Sequence, residues 1–240
     1  YMTVVMDLDT GRVLYAAKGK GKGALKPFFA RLRRAGAKLK AVAMDMSEAF
    51  LSAVKEYWPK KVAIVHDHYH IVANMNDVLD KVRRDEQNRL EGEGKEIIKG
   101  SRYLLLRGKE NLAKLPEKQT RLNALLAANE TLHKAYLLKE DLRMFWRQGT
   151  KGAAKKFVTN WVDEALAMGN KHVTKFAKTV RERVKSITAW YSHPITTGPL
   201  EGMNNKIKVL KRMAYGYRDM HFFALRIMFI HETKMELSGA

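Results

Sequence analysis

Residues 41–70 read AVAMDMSEAFLSAVKEYWPKKVAIVHDHYH, and the order of element types in this stretch decides the fold class. Ala41–Met44 is a short apolar run that ends at an acid, Asp45. Ser47 suits a helix N-cap, and Phe50, Leu51, Val54 and Tyr57 recur at helical spacing before Pro59 closes the segment. Val62–Val65 is a second apolar run, ending at His66 and Asp67. Short apolar strands that alternate with helices predict parallel pairing in a sheet flanked by helices.

Upstream, Tyr1–Leu8 carries β-favouring Thr3, Val4 and Val5, Asp9-Thr10-Gly11 makes a turn, and Val13–Ala17 returns, so a hairpin is expected. Lys18, Lys20 and Lys22 then alternate with Gly19, Gly21 and Gly23 in a basic loop that lacks the spacing and the Lys-Ser/Thr ending of a phosphate-binding loop. Leu25–Leu39 has helical period, with Leu25, Phe28, Phe29, Leu32 and Ala35 on one face. A hairpin followed by two strand–helix units predicts an α/β fold with a sheet of mixed direction.

Downstream the pattern changes. Ile71–Leu90 is helical, Leu122, Leu125, Leu126, Leu132, Tyr136 and Leu137 keep helical spacing, and so do Val173, Phe176, Val180, Val184, Ile187 and Trp190. An all-helical block is therefore expected after the sheet. Tyr191–Pro199 reads as a loop. Leu200–Tyr215 is an amphipathic helix with Met203, Ile207, Leu210 and Ala214 on one face and Glu201, Asn205, Lys208 and Arg212 on the other. Pro199 suits the first helical position, and Phe222–Ile230 reads as one more apolar helix.

Composition narrows the function. The 240 residues hold 45 Lys and Arg against 25 Asp and Glu, a formal charge of +20, and 46% are hydrophobic. That hydrophobic share suits a folded protein rather than a disordered basic tail. A strongly basic folded chain points to polyanions, nucleic acid above all. The absence of cysteine excludes disulfide scaffolds, thiolate zinc sites and thiol nucleophiles. No apolar run approaches the roughly 18 residues of a membrane span. The charge is uneven: Arg12–Lys40 has ten Lys and Arg and no acid, and Glu201–Arg218 has five against one. The few acids in those basic stretches draw attention.

Asp45 stands at the C-terminal end of a strand, where α/β sheets build their sites, although a turn or cap carboxylate is common at such a strand–helix junction and is the more ordinary explanation. Glu201 opens a helix whose polar face is otherwise basic; a favourable helix-dipole position explains it, and so does a nuclease site in which the acid holds a divalent cation and the cations hold phosphates. His66, His68 and His70 would share a strand face as zinc ligands, but the segment passes from strand to helix there, which breaks the alternation. Asp67 and His70 read instead as a junction pair, the acid capping or hydrogen-bonding and the histidine beginning the helix. Asp7 and Asp9 suit turn chemistry, Asp77, Asp80 and Asp85 suit a solvated helix face, and Trp146, Trp161 and Trp190 suit a core, with base stacking as the lesser reading. Lys206, Lys208, Lys211 and Arg212, with Asn205, form a phosphate-binding face, and Arg218, flanked by Tyr215 and Tyr217, is placed to stack on or contact the backbone.

Several runs together resemble the ISL-three family of bacterial insertion-sequence transposases. They are Val42-Ala43-Met44-Asp45-Met46, Tyr57-Trp58-Pro59, Asp67-His68-Tyr69-His70-Ile71-Val72, Leu79-Asp80-Lys81-Val82-Arg83-Arg84 and, most specific, Gly198-Pro199-Leu200-Glu201-Gly202-Met203-Asn204-Asn205-Lys206-Ile207-Lys208, followed by Lys211-Arg212 and Ala214-Tyr215-Gly216-Tyr217-Arg218. The resemblance implies an RNase H-like core interrupted by a helical insertion: residues 1–73 as the first part, 74–190 as the insertion and 191–240 as the completing helices. It implies a DDE mechanism in which two Asp and one Glu hold two Mg²⁺ ions, with Mn²⁺ as an alternative, to cleave DNA and join its 3′-hydroxyl to a target. Asp45 matches the second acid and Glu201 the third. Asp67 and His70 match an Asp/Cys-x-x-His signature with a supporting role.

The resemblance also implies double-stranded DNA partners, both the terminal repeats and the target, a homo-oligomer on that DNA, no membrane, and a cytoplasmic, nucleoid-associated protein. In this family the first Asp lies on the strand before the one that opens this chain. The expectation is therefore a fragment without its first strand, its first acid and any upstream zinc-binding and helix-turn-helix region, inactive alone. Asp7 is a weaker substitute, because it sits at a turn. Two other readings stay open: a non-catalytic DNA-binding remnant, and a metal-dependent nuclease or resolvase of the same fold.

Overall fold

The computed structural model describes residues 1–59 and 62–230; the end of the expected C-terminal segment, 231–240, lies outside the described residues. The chain forms two compact units, Tyr1–Asp67 with His193–Ala240, and His68–Ser192.

In the first unit the elements are β1 (Met2–Met6), β2 (Val13–Lys18), α1 (Lys22–Arg34), β3 (Ala41–Met44), α2 (Glu48–Tyr57) and β4 (Ala63–His66), with α12 (Gly198–Met213) and α13 (Met220–Met228) returning late in the chain. β1 and β2 pair antiparallel, Met2 opposite Lys18, and β3 and β4 pair parallel, Ala41 opposite Ala63. Mixed strand direction is thus present, but in two separate two-stranded sheets rather than the single sheet expected. Ladder bonds join β1 only to β2 and β3 only to β4 among the described residues, so nothing merges the ribbons.

Side-chain alternation, reset by an irregularity in the register between Val5 and Met6 that leaves Leu14 as the extra residue on β2, lets the hairpin serve two cores. Val13 and Ala16 pack with Met203, Ile207 and Leu210 of α12 and Phe223 and Ile227 of α13, joined by Val4 of β1. From the opposite face, Val5 and Tyr15 pack with Phe28 and Phe29 of α1, Met44 of β3 and Leu51 and Val54 of α2. The Tyr15 and Phe28 rings stack at 5.2 Å. Two-stranded ribbons are marginal in water by themselves, so these helices carry much of their stability.

The expected helix over 25–39 starts and stops earlier. It begins at Lys22, inside the stretch read as loop, and ends at Arg34 because Gly36 takes φ +65°, a left-handed turn that glycine adopts without steric cost. Ala214, expected on the buried face of α12, lies just past its end and is exposed.

The second unit is helical: α3 (His68–Arg89), α4 (Gly92–Ile98), α5 (Arg102–Leu106), α6 (Lys109–Leu112), α7 (Pro116–Ala128), α8 (Glu130–Met144), α9 (Lys151–Ala167), α10 (Lys171–Glu182) and α11 (Val184–Thr188). Trp161 is buried, donates its indole N–H to the Leu138 carbonyl at 2.8 Å and meets Phe176 edge-on, which is a core role. Lys139 is also buried. Its ammonium donates to the carbonyls of Leu105 at 2.8 Å and Arg107 at 3.0 Å, where α5 ends, and pairs with Glu140. Burial pushes its pKa down, against the opposing pull of Glu140. Asp80, expected on a solvated face, is buried and holds Arg83 at 2.8 Å, Arg84 at 3.3 Å and Arg102 at 3.5 Å. Leu137, which shares the helical spacing of the buried Leu132 and Tyr136, is itself exposed.

Candidate active site and nucleic-acid face

The parallel pair β3–β4 brings two acids to adjacent strand ends. Met44 is opposite His66 in the register, so Asp45 and Asp67 follow side by side, and the Asp67 N–H donates to the Met44 carbonyl at 3.1 Å. Asp45 is exposed, and its Oδ1 accepts the N–H of Ser47 at 3.0 Å. Ser47 does stand at the N-cap of α2, yet its hydroxyl makes no capping bond; the Asp45 carboxylate turns the chain there instead. This is the turn role expected of a carboxylate at a strand–helix junction, and it leaves Asp45 at a solvent-facing strand end.

Asp67 behaves differently. It is 1% exposed, and its Oδ2 accepts the main-chain N–H of Thr197 at 2.5 Å, across 130 residues of sequence. Thr197 is the N-cap of α12, and its carbonyl accepts the N–H of Glu201 at 3.0 Å. One buried carboxylate thus ties the strand ends beside Asp45 to the start of the helix that carries Glu201. Glu201 is exposed in the first turn of that helix, where the positive end of the helix dipole favours an acid.

His66 completes the strand end. It is 1% exposed, and its Nδ1 donates to the Asp45 main-chain carbonyl at 3.2 Å. Burial pushes its pKa below the ordinary value, outweighing that hydrogen bond, so the ring is neutral near pH 7. Its Nε2 has no hydrogen-bond partner among the described residues. Of the other two histidines weighed as zinc ligands, His68 and His70 lie in the first turn of α3, in the helical unit. Asp7 spends its carboxylate on the hairpin turn, accepting Thr10 Oγ1 at 2.7 Å and the Asp9 N–H at 3.2 Å.

Among the described residues no group of three or more His, Asp and Glu side chains is assembled to hold a metal ion. The donor chemistry of Asp45 and Glu201 nevertheless suits Mg²⁺. That ion takes hard oxygen ligands, keeps several waters, and is usually held by one or two carboxylates together with substrate phosphates.

The polar face of α12 is basic. Asn205, Lys206, Lys208, Lys211 and Arg212 are all exposed, while Met203, Ile207 and Leu210 are buried beneath them. Arg218 is exposed in the turn that follows. Sequence reasoning missed the Thr197 N–H, because a main-chain donor carries no residue-type signal. It also missed a cleft of about 320 Å³ in the helical unit, lined by the exposed Tyr103, the cations Arg107, Lys118 and Arg121, and the acid Glu117. Among the described residues no helix is long and apolar enough to cross a membrane.

Residues 1–227 match the ISL3 DDE transposase family, described simply as transposase. The chain is 36% identical over 231 residues to the transposase for insertion sequence element IS1001 of Bordetella parapertussis, covering 95% of this chain and 56% of that protein. It is 31% identical over 244 residues to the transposase for insertion sequence element IS1557 of Mycobacterium tuberculosis, covering 91% of this chain and 54% of that one. A shorter stretch, 33% identical over 124 residues, matches a Lactococcus lactis protein named as an ATP-dependent protease, of which it covers 38%. No solved structure matches. The chain spans about half the length of the two transposases it resembles. With the family match running through both strand-end acids and the whole of α12, the chain belongs to the ISL3 family of DDE transposases.

Proposed function

We propose that this chain is the catalytic portion of a transposase that cleaves DNA at insertion-sequence ends and joins the 3′-hydroxyl to a target, with Asp45 and Glu201 as two of the three carboxylates that hold Mg²⁺. The observation that carries the reading is the Asp67–Thr197 hydrogen bond, which couples the strand ends at Asp45 to the helix bearing Glu201. In this reading the two ribbons belong to one RNase H-like sheet. The strand that joins them, with the remaining acid, comes from the part of the relatives' length that this chain does not span.

Each group has a task. Asp45 and Glu201 present hard oxygens to the metal ions. Those ions, when bound, activate the attacking oxygen and stabilise the leaving one. Asp67 holds the head of α12 in place, and His70 keeps the supporting role that the family signature gives it. Lys206, Lys208, Lys211 and Arg212, with Asn205 and Arg218, grip the phosphates of double-stranded DNA, the terminal repeats and then the target. The working particle is a homo-oligomer assembled on that DNA.

The test uses the full-length protein on a duplex carrying the element's end. Glu201→Ala and Asp45→Ala should each lower Mg²⁺-dependent strand transfer by about 10²–10³-fold or more, the scale for losing one preorganised charge-stabilising group, while duplex binding persists. Strand transfer that survives Glu201→Ala would refute the assignment. Cleavage by residues 1–240 alone would refute the proposed need for an acid outside them.

A further inference from the structure

The turn that ends α12 carries an aromatic ring in a backbone conformation that opposes it. Gly216 N–H donates to the Lys211 carbonyl at 3.0 Å and Tyr215 N–H to the Arg212 carbonyl at 3.0 Å. This pair of bonds is the Schellman closure, in which the left-handed position prefers glycine. Here that position is Tyr215, at φ +48°, the one non-glycine residue with positive φ among those described. Bulky side chains resist this region, which glycine and asparagine enter readily.

The ring gives the fold nothing in return. Tyr215 is 101% exposed, so its side chain packs on no other element. Two residues on, Tyr217 stacks on Phe223 with centroids 4.4 Å apart and secures the turn against α13. Lys211, Arg212 and Arg218 around the turn are all exposed cations. The nearby acid, Asp219, spends its carboxylate on capping α13, accepting the N–H groups of His221 at 2.7 Å and Phe222 at 3.1 Å. A flat, fully solvated ring set among cations complements a ligand that offers both flat faces and negative charge.

We propose that Tyr215 is a stacking platform for an unpaired DNA base, whose flanking phosphates are held by Lys211, Arg212 and Arg218. The proposal rests on the reading of α12 as a DNA-binding face and adds to it a contact with a base rather than with phosphate. A base presents its face to a ring only when it is unstacked, so single-stranded DNA is the probe of choice.

The experiment titrates the protein and its Tyr215→Asn, Tyr215→Gly and Tyr215→Phe variants against a fluorescein-labelled 20-nucleotide single strand over a range of salt concentrations, with thermal unfolding of each. Tyr215→Asn and Tyr215→Gly should weaken binding by about 5- to 100-fold, the range for loss of one base–aromatic stack. Their salt slope should match the parent's, because no charge is lost. Tyr215→Phe should bind as the parent does. Tyr215→Gly should melt no lower than the parent, since glycine relieves the left-handed turn. Parent-like binding by Tyr215→Asn would overturn the proposal, and so would a loss in Tyr215→Phe equal to that in Tyr215→Asn. A lower melting temperature in Tyr215→Gly would place the ring in the fold and overturn it as well. A parent that shows no salt-dependent binding would instead remove the DNA-binding face itself.

Discussion

Asp67 shows how much one residue can organise. Its buried carboxylate receives the Thr197 N–H at the head of α12. A leucine there leaves that donor without this acceptor, and a buried unsatisfied N–H costs about 1–3 kcal/mol. Asp67→Leu should therefore lower the unfolding free energy by that amount in urea titrations. Asp67→Asn keeps an oxygen acceptor and should cost clearly less. Equal losses in the two variants would mean that the charge matters and the acceptor does not. Tyr215 is the opposite case: a residue whose conformation the fold tolerates without using its side chain.

Among elements, α3 and α8 are joined by a polar link rather than by packing alone. Asn129 caps α8 by accepting the Leu132 N–H at 2.8 Å, and its amide donates to Glu86 of α3, also at 2.8 Å. Arg89 donates to the same Glu86 carboxylate at 2.7 Å. The Arg89 guanidinium first, then the Asn129 amide, hold the Glu86 carboxyl below its ordinary value of 4.5, against the opposing effect of burial. A carboxylate depressed in this way adds stability above its unfolded-state pKa, and that stability is lost as pH falls through the folded-state value. Glu86→Gln should thus lower the urea midpoint at pH 7 and flatten its fall below pH 4.5. Asn129→Ala should cost about 1–2 kcal/mol, the worth of an N-cap. The start and end of α1 make a related point. Apolar period alone carried that helix to residue 39, whereas the left-handed Gly36 ends it, a stop signal that was present in the sequence but outweighed by the periodic pattern.

For the whole molecule, the charge of +20 is the dominant property. It sets affinity for polyanions and makes that affinity fall with salt. Four cations of the α12 face, Lys206, Lys208, Lys211 and Arg212, are exposed on one helix. Replacing each with glutamine should flatten the log–log salt dependence of duplex binding by about one, and the quadruple variant by roughly four. A slope that is unchanged in the quadruple variant would move the DNA to another surface, with the Arg107, Lys118 and Arg121 cleft of the helical unit as the next place to look.

The sequence by itself determined the family, the type of most elements and the candidate acids, because periodicity, caps and motifs are local and survive without a partner. It placed Asp45 at a strand end and Glu201 on the polar face of an amphipathic helix, and both stand there. Only the tertiary structure decided which strands pair, that Asp80 is buried among arginines, and that Asp67 reaches Thr197. The reason is physical. A hydrogen bond across 130 residues depends on how two distant segments pack, and neither segment carries a local mark of the other. Strand pairing likewise depends on which edges meet, which the alternation of side chains along a single strand does not specify.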